Sequence, residues 1–177
     1  IKMKNAGCYR TAFGVESGNQ EILNKMRKGT TIKMILNAFR LCREARIKTM
    51  AFFILGMPYE NKKTMSDTIN FSKKLDPDYA QFCIAAPFPG TELYEFVRTK
   101  GRLLVDDYSK YDQMAEGKAY FEIGDVKKEL VEQMYRKAYR EFYLRPRVML
   151  RFMTDRNMLG NLPNFMQAAL HYLGMKR

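Results

Sequence analysis

The sequence predicts an α/β fold in which about three parallel strands alternate with helices, followed by an all-helical carboxy-terminal segment. Two observations predict it. Three short runs rich in β-branched and aromatic residues are separated by segments whose apolar residues recur at spacings of three and four. Helical segments between successive strands are typical of parallel βαβ units. The predicted strands are residues 9–15, 48–55 and 79–86.

The middle strand, KTMAFFIL, ends in an uninterrupted apolar run, a pattern typical of a parallel strand that is buried on both faces. Polar caps and glycines delimit the helices around it. Thr31 and Thr91 are favourable first residues, and Gly29 and Gly101 favourable stops. The predicted helices are residues 20–28, 31–42, 63–75 and 91–100.

The carboxy-terminal segment begins after a polar connection over residues 102–124. Asp125 is predicted to cap a long amphipathic helix that Pro146 interrupts, and two more helical stretches are expected near 148–154 and 164–173. The chain carries 31 Lys and Arg and 19 Asp and Glu, a net charge of +12. Residues 127–177, with 11 basic and 4 acidic side chains, supply +7 of it. This excess indicates either an affinity for phosphates and anionic headgroups or an ordinary solvated basic face.

Composition excludes several classes of protein. Twelve Phe, 11 Tyr and 13 Met are too many for a disordered chain. The three cysteines lie 34 and 41 residues apart, which fits neither a disulfide framework nor a Cys-x-x-Cys metal site and favours a cytoplasmic protein with reduced thiols. The longest apolar run, residues 50–58, is too short to span a bilayer. The one histidine, His171, is expected to pack or lie at the surface.

The first strand begins about nine residues into the chain, so one edge of the predicted sheet has no partner strand. We therefore expect the chain to be the carboxy-terminal part of a larger α/β protein. Missing strands, a second copy of the chain or residues 127–177 are the candidates to cover this edge.

Glycine and proline residues follow all three strands, in segments 14–18, 56–60 and 87–91. Such residues mark ordinary βα turns, but ligands of parallel sheets also bind at the carboxyl ends of the strands. Together the three segments predict a ligand site at this end of the sheet. Glu16 offers a carboxylate there that accepts hydrogen bonds from ribose hydroxyls or an amine, unless it caps the next helix.

Two segments carry a resemblance to a known family. GVESGNQEILNKMRKGTT and AFFILGMPYENKKTMSDTINFSKKLDPDYAQFCIAAPFPGTELYE resemble the second half of the radical S-adenosylmethionine (SAM) domain. They are most similar to the subgroup that also has a cobalamin-binding domain and includes anaerobic magnesium-protoporphyrin monomethyl ester cyclases. The resemblance implies a partial (β/α) TIM-type barrel over residues 1–112, followed by a helical basic extension over residues 113–177.

The resemblance also implies which residues bind the cofactor. Glu16 and Ser17 would contact SAM at the end of the first strand, and Lys28 would hold the methionine carboxylate. A cation at position 28 is also explained by the end of the short helix, where positive charge is favoured. The remaining expected contacts are at the turn after the second strand and against the adenine: Gly56, Pro58, Ile84 and Ala86.

The family's cluster motif, Cys-x-x-x-Cys-x-x-Cys, is absent from this sequence, and Cys8, Cys42 and Cys83 cannot replace it. Three thiolates are needed to hold a [4Fe–4S] cluster with one iron open to the ligand. The chain alone is therefore expected to be inactive and to bind no metal. The resemblance implies a whole protein that is a radical SAM oxidoreductase or methyltransferase for a small molecule, with SAM, a [4Fe–4S] cluster and cobalamin as cofactors.

Two alternatives remain open. One is part of a tRNA-modifying radical SAM enzyme, suggested by the charge, although the tail has no β-rich RNA-binding module. The other is a non-enzymatic domain that binds an anionic lipid or a partner protein. Residues 145–156, RPRVMLRFMTDR, interleave arginines with apolar residues, as does a helix at a membrane surface or one packed on the domain with extended Arg side chains.

Overall fold

The structure, a computed structural model, describes residues 1–105, 107, 111 and 117–154, with side chains as far as residue 151. The predicted helix near 164–173 and His171 lie outside these residues. In chain order the elements are α1 (Lys2–Asn5), β1 (Arg10–Glu16), α2 (Gln20–Lys25), α3 (Ile32–Glu44), β2 (Lys48–Leu55), α4 (Lys62–Leu75), β3 (Tyr79–Ile84), α5 (Glu92–Lys100), β4 (Arg102–Leu103), β5 (Phe121–Glu122), α6 (Lys128–Tyr143) and α7 (Pro146–Thr154).

The three long strands form one parallel sheet in the order β1-β2-β3, which confirms the predicted partial α/β barrel. Its two faces differ in burial. One face, which we call the covered face, packs against helices and is at most 3% exposed at Val15, Ala51, Phe53, Leu55, Ala80, Phe82 and Ile84. The opposite face, which we call the open face, is half-buried or exposed at Ala12, Gly14, Met50, Phe52, Ile54, Gln81 and Cys83.

The expectation that β2 is buried on both faces is wrong for the described residues. Its side chains alternate strictly between buried and half-buried along the strand. The reason is that α3 and α6 meet the same face: Phe39 of α3 contacts Phe13, with ring centroids 4.8 Å apart, and Phe142 of α6 contacts Phe82 at 6.2 Å. A sheet with helices on one face and an apolar open face has the shape of a barrel wall.

Helix α6 closes the outer edge of β3 with two tyrosine hydroxyls. The Tyr139 hydroxyl accepts a hydrogen bond from the Phe82 N–H at 3.3 Å and donates to the Phe82 carbonyl at 3.2 Å. The Tyr143 hydroxyl accepts from the Ala80 N–H at 3.2 Å and donates to the Ala80 carbonyl at 2.6 Å. These four bonds replace those of a further strand, so the sheet ends at β3.

Residues 127–177 were candidates to cover the edge of the first strand, but α6 covers the opposite edge of the sheet. Strand β1 is the other border of the sheet, and no strand among the described residues pairs with its outer side.

None of the described helices has the length and hydrophobicity that crossing a bilayer requires.

Asp76 attaches the carboxy-terminal helices to the sheet's helical layer. It ends α4 in the left-handed conformation, with φ of 50°. Its carboxylate pairs with Arg145 at 3.2 Å, Arg151 at 2.5 Å and Arg147 at 3.4 Å. Arg145 and Arg151 also donate to backbone carbonyls at the end of α4 and just after it. Residues 145–156 were expected either to lie at a membrane surface or to pack on the domain. The contacts of Arg145 and Arg151 are those of packing on the domain.

The described residues of the connection 102–124 contain more regular structure than the sequence indicates. It contains the antiparallel pair β4–β5, and Tyr120 and Phe121 are 3% and 2% exposed. Asp125 lies in a turn closed by hydrogen bonds between Ile123 and Val126, so it does not cap α6. The Glu122 carboxylate instead accepts from the Lys128 N–H at 3.1 Å. This cap comes from six residues upstream, outside the usual capping pattern.

Removal of the two edge-capping hydroxyls tests their contribution. We expect Tyr139→Phe and Tyr143→Phe each to lower the free energy of unfolding by about 1 kcal/mol, because the rings still pack while backbone groups of β3 lose their partners. Urea unfolding of the single and double variants measures this. Tyr59→Phe, at an exposed tyrosine, is the control and should change the value by less than about 0.5 kcal/mol. Equal effects in all variants would contradict the capping role.

Candidate functional site

Glu16 and Lys28 form an ion pair at the carboxyl end of β1. The Lys28 Nζ donates to the Glu16 Oε1 at 2.7 Å, and the two side chains are 32% and 16% exposed. Glu16 has a φ of 63°, a left-handed conformation that costs a non-glycine residue about 1 kcal/mol or more. The pairing of β1 with β2 also shifts register between Gly14 and Glu16. Such irregularities re-aim a side chain at the rim of a sheet, here that of Glu16.

Gly14 provides the space that the ion pair occupies. A Cβ atom at position 14 would lie 2.5 Å from the Glu16 Oε1 and 2.9 Å from the Lys28 Nζ, both closer than van der Waals contact. Gly14 pairs with Phe52, so the ion pair lies over the open face. Glycine at this position is therefore a condition of the observed geometry.

Lys28 lies beyond the end of α2, and the predicted helix over residues 20–28 is too long. The helix ends at Lys25, and Arg27 has a left-handed φ of 53°. The Lys28 N–H then donates to the Leu23 carbonyl at 3.0 Å, as in a typical helix-ending motif. A helix-end cation does not explain Lys28, because this turn carries its side chain back to Glu16.

Ser17 is buried instead of facing the open side. Its side chain is 0% exposed, its hydroxyl shares a hydrogen bond with that of Thr68 at 3.1 Å, and it accepts from the Asn19 N–H at 3.1 Å. The next residue, Gly18, packs so closely on α4 that a Cβ there would lie 2.3 Å from the Phe71 Cβ. Ser17 thus holds the loop after β1 against α4.

Glu60 organises the turn after β2. Its Oε2 accepts from the Gly56 N–H at 2.8 Å and from the Met57 N–H at 3.0 Å. The residue is 3% exposed, and the Glu60 Oε1 has no hydrogen-bond partner among the described residues. Burial raises the pKa of this carboxyl to about 7, against the opposing effect of the two N–H donors. The sequence did not single out Glu60 as a site residue. The signal it offers is an acidic residue four positions after Gly56, and in the structure Gly56 turns the chain with a φ of 84°.

The other predicted contacts lie in different surroundings. Gly56 is buried, and a Cβ there would lie 2.9 Å from the Val131 Cγ1 of α6. Pro58 and Ala86 are half-buried beyond the ends of β2 and β3. Ile84 is 3% exposed on the covered face, so it offers almost no side-chain surface to a ligand. The structure therefore brings Glu16 and Lys28 together and leaves Ser17 and Ile84 away from the open face; the roles of all seven as cofactor contacts stay predictions.

The cysteines do not fit an iron–sulfur cluster. Cys8 precedes β1, Cys42 lies in α3 and Cys83 lies in β3, all as half-buried free thiols. Burial raises the pKa of both the Cys42 and Cys83 thiols, which disfavours the thiolate that iron requires. No group of three metal-ligating side chains occurs within the described part of the chain.

Glu16 and Lys28 do fit a ligand with a zwitterionic amino-acid end, such as SAM. They place a carboxylate and an ammonium side by side at the carboxyl end of a parallel strand, over a face without cover from the described helices. In parallel sheets this end is where ligands bind. The class defined by the fold is thus a partial α/β barrel, with a charged pair at the end of β1.

Comparison with known proteins relates this chain to a family. Residues 1–72 match the Radical SAM superfamily, which confirms the resemblance found in the sequence. Over 149 residues, 84% of this chain, the sequence is 36% identical to an uncharacterized methyltransferase of Pyrococcus horikoshii, of which the match covers 32%. Over 109 residues, 62% of this chain, it is 36% identical to the anaerobic magnesium-protoporphyrin IX monomethyl ester cyclase of Cereibacter sphaeroides, of which the match covers 18%.

Further relatives at lower identity are named as a bacteriochlorophyllide d methyltransferase and a tRNA-2-methylthio-N(6)-dimethylallyladenosine synthase. Among solved structures, Elp3 of the archaeon Methanocaldococcus infernus aligns with 81% of this chain and 38% of its own, with a TM-score of 0.52 and 20% identity. This likeness shows the fold alone. The chain spans about a third or less of the length of the first two relatives.

The buried carboxyl of Glu60 predicts a pH dependence of stability. Its pKa is about 7 in the folded chain against 4.5 ordinarily, so the folded chain keeps a proton that the unfolded chain loses between these values. Glu60 therefore lowers the free energy of unfolding as pH rises from about 4.5 to about 7. We compare the free energy of unfolding of Glu60→Gln with that of the unmodified chain at each pH. We expect the variant's value to gain on that of the unmodified chain between pH 5 and pH 8, by at most about 3 kcal/mol.

Urea unfolding at both pH values measures this difference. Glu44→Gln on the exposed side of α3 serves as the control, because Glu44 is more than half exposed and should show no such pH dependence. A Glu60→Gln effect of the same size at pH 5 and pH 8 would refute the prediction.

Proposed function

We propose that this chain forms the part of a radical SAM enzyme that binds SAM and positions the substrate, and that cysteines outside this chain hold the cluster. The chain alone would then be inactive. The observation that carries the proposal is the Glu16–Lys28 ion pair over Gly14, at the carboxyl end of β1. When bound, SAM supplies the sulfonium-borne group that the family's chemistry transfers or cleaves.

The ion pair suits a ligand that carries both signs of charge. Without a ligand, Glu16 and Lys28 neutralise each other at 2.7 Å. A ligand with a carboxylate and hydrogen-bond donors, such as an ammonium group or ribose hydroxyls, offers a new partner to each side chain. Neither side chain is then left unpaired when the ion pair opens. Lys28 would bind the carboxylate and Glu16 the donors. Because Glu16 is only 16% exposed, its interactions are weakly screened by solvent.

Relatives named as methyltransferases and as a cyclase support a reaction on a small molecule. The resemblance adds cobalamin as the methyl carrier of the whole protein. On the open face, Met50, Phe52 and Ile54 form an apolar wall beside the ion pair. Such a wall excludes water from bound groups and holds them in place, which is what a protein contributes to cofactor chemistry.

The outer edge of β1 is the place where we propose that the barrel continues. Tyrosine hydroxyls close the β3 edge, whereas β1 borders the sheet with no described strand beside it. An amino-terminal half of the barrel would pair here. Without it, the same edge would pair with a second copy of the chain.

A tRNA-modifying enzyme is the second candidate, supported by the tRNA-modifying relative and the charge of +12. Binding of unmodified tRNA with a steep salt dependence would favour it. An anionic-lipid site over residues 145–156 has less support, because Arg145 and Arg151 are bound to Asp76.

The proposed cofactor site is tested by titrating SAM into the full chain in a calorimeter. We expect Glu16→Gln and Lys28→Gln each to weaken binding by about tenfold or more, because each removes one charged partner of the ligand. Gly14→Ala keeps both charges but displaces them, and should weaken binding as well.

Arg40→Gln is the matched control, since it breaks an exposed ion pair with Glu44 on α3, away from the site. It should leave the affinity unchanged. Unchanged affinity in the Glu16 and Lys28 variants, or no binding to the unmodified chain at millimolar SAM, would overturn the proposal.

A further inference from the structure

A cavity lies between the end of α2, the turn after β2 and helix α5. We call it the rim cleft; its volume is about 770 Å³. Its walls are the end of α2 with Lys25 and Arg27, the turn after β2 with Pro58 and Tyr59, and helix α5 with Glu92 and Phe96. None of the cofactor contacts implied by the resemblance, apart from Pro58, lines it.

One wall of the rim cleft is aromatic. Tyr59 is 43% exposed, and its ring centroid lies 5.5 Å from that of Phe96, with the two rings tilted by 49°. Met26, Met57 and Leu93 complete the apolar lining. An exposed aromatic ring with methionines beside it favours a planar ligand, because ring stacking and polarisable sulfur both suit flat π-systems.

Cations lie on one side of this wall. The Lys25 Nζ is 5.5 Å from the Tyr59 ring centroid, and Arg27 follows two residues later. Their ion pairs, Lys25 with Glu21 at 2.7 Å and Arg27 with Glu92 at 3.2 Å, are largely exposed. Exposed pairs contribute about 0–1 kcal/mol, so an anionic ligand group can take the place of either carboxylate.

Carboxylates on the opposite wall limit the charge of the ligand. Glu92 and Glu95, in the first turn of α5, bring two carboxylates to the lining, Glu92 paired with Arg27 and Glu95 with Arg98. A single anionic group therefore fits on the α2 side, whereas the successive phosphates of a nucleic acid would meet the α5 carboxylates.

Residues that line the rim cleft are neighbours in sequence of the proposed cofactor contacts. Met26 and Arg27 directly precede Lys28, and Met57 and Pro58 directly follow Gly56. We infer that the rim cleft binds a planar, apolar small molecule with one carboxylate, held by Tyr59 on its flat face, by the tilted Phe96 ring at its edge, and by Lys25 and Arg27 at its charge. Its role as the substrate site rests on the proposed function; the binding itself does not.

Fluorescence titration of the full chain with 1-pyrenebutyrate tests this inference, with 1-pyrenebutanol as the neutral probe of the same shape. The double variant Lys25→Gln, Arg27→Gln should weaken pyrenebutyrate binding by about tenfold and leave pyrenebutanol nearly unchanged. Tyr59→Ala should weaken the binding of both probes, because the stacking surface is lost.

Two matched variants control for general effects. Arg40→Gln breaks an exposed i,i+4 ion pair like that of Lys25, and Tyr9→Ala removes an aromatic ring that is 67% exposed elsewhere. Neither should change binding. The inference is overturned if the charge variant weakens both probes equally, or if Tyr9→Ala acts like Tyr59→Ala. Glu16→Gln separates the two proposals: it should weaken SAM binding by about tenfold or more and leave the affinity for pyrenebutyrate unchanged.

Discussion

The hydrogen bonds of the Tyr139 and Tyr143 hydroxyls with β3 decide how the rest of the molecule is arranged. Each hydroxyl serves both the N–H and the carbonyl of one β3 residue, so the backbone groups that a neighbouring strand would use are satisfied by a helix. Helix α6 must then lie along this edge and over the covered face. The sheet has one closed border, at β3, and its other border is β1.

This arrangement leaves the opposite face of the sheet without helical cover from the described residues. Helices α3 and α6 pack on the covered face, where Phe53 and Phe82 are fully buried, while Phe52 and Ile54 remain half-buried on the open face. An apolar, uncovered face beside the Glu16–Lys28 pair is suited to a cofactor and a substrate. The rim cleft lies between the end of α2, the turn after β2 and α5.

Three acidic residues have different tasks in this fold. Glu16 is held in a strained conformation with an ammonium partner and remains partly accessible. Glu60 is buried and binds only backbone N–H groups, so it shapes the turn after β2. Asp76, at the other end of α4, gathers three arginines and attaches α7. Burial and partner separate the accessible carboxylate from the two that serve the fold.

The sequence by itself determined the three strands and the helices between them, because apolar periodicity and turn residues are local signals. Two of its segments carried the resemblance to the radical SAM domain. It also indicated Glu16 and Lys28. Only the tertiary structure decided which face of β2 is buried, that Ser17 and Ile84 turn away from the open face, and that Glu122 caps α6. The physical reason is that these depend on contacts between residues distant in sequence, such as Tyr139 with Phe82 and Ser17 with Thr68, which no local pattern encodes.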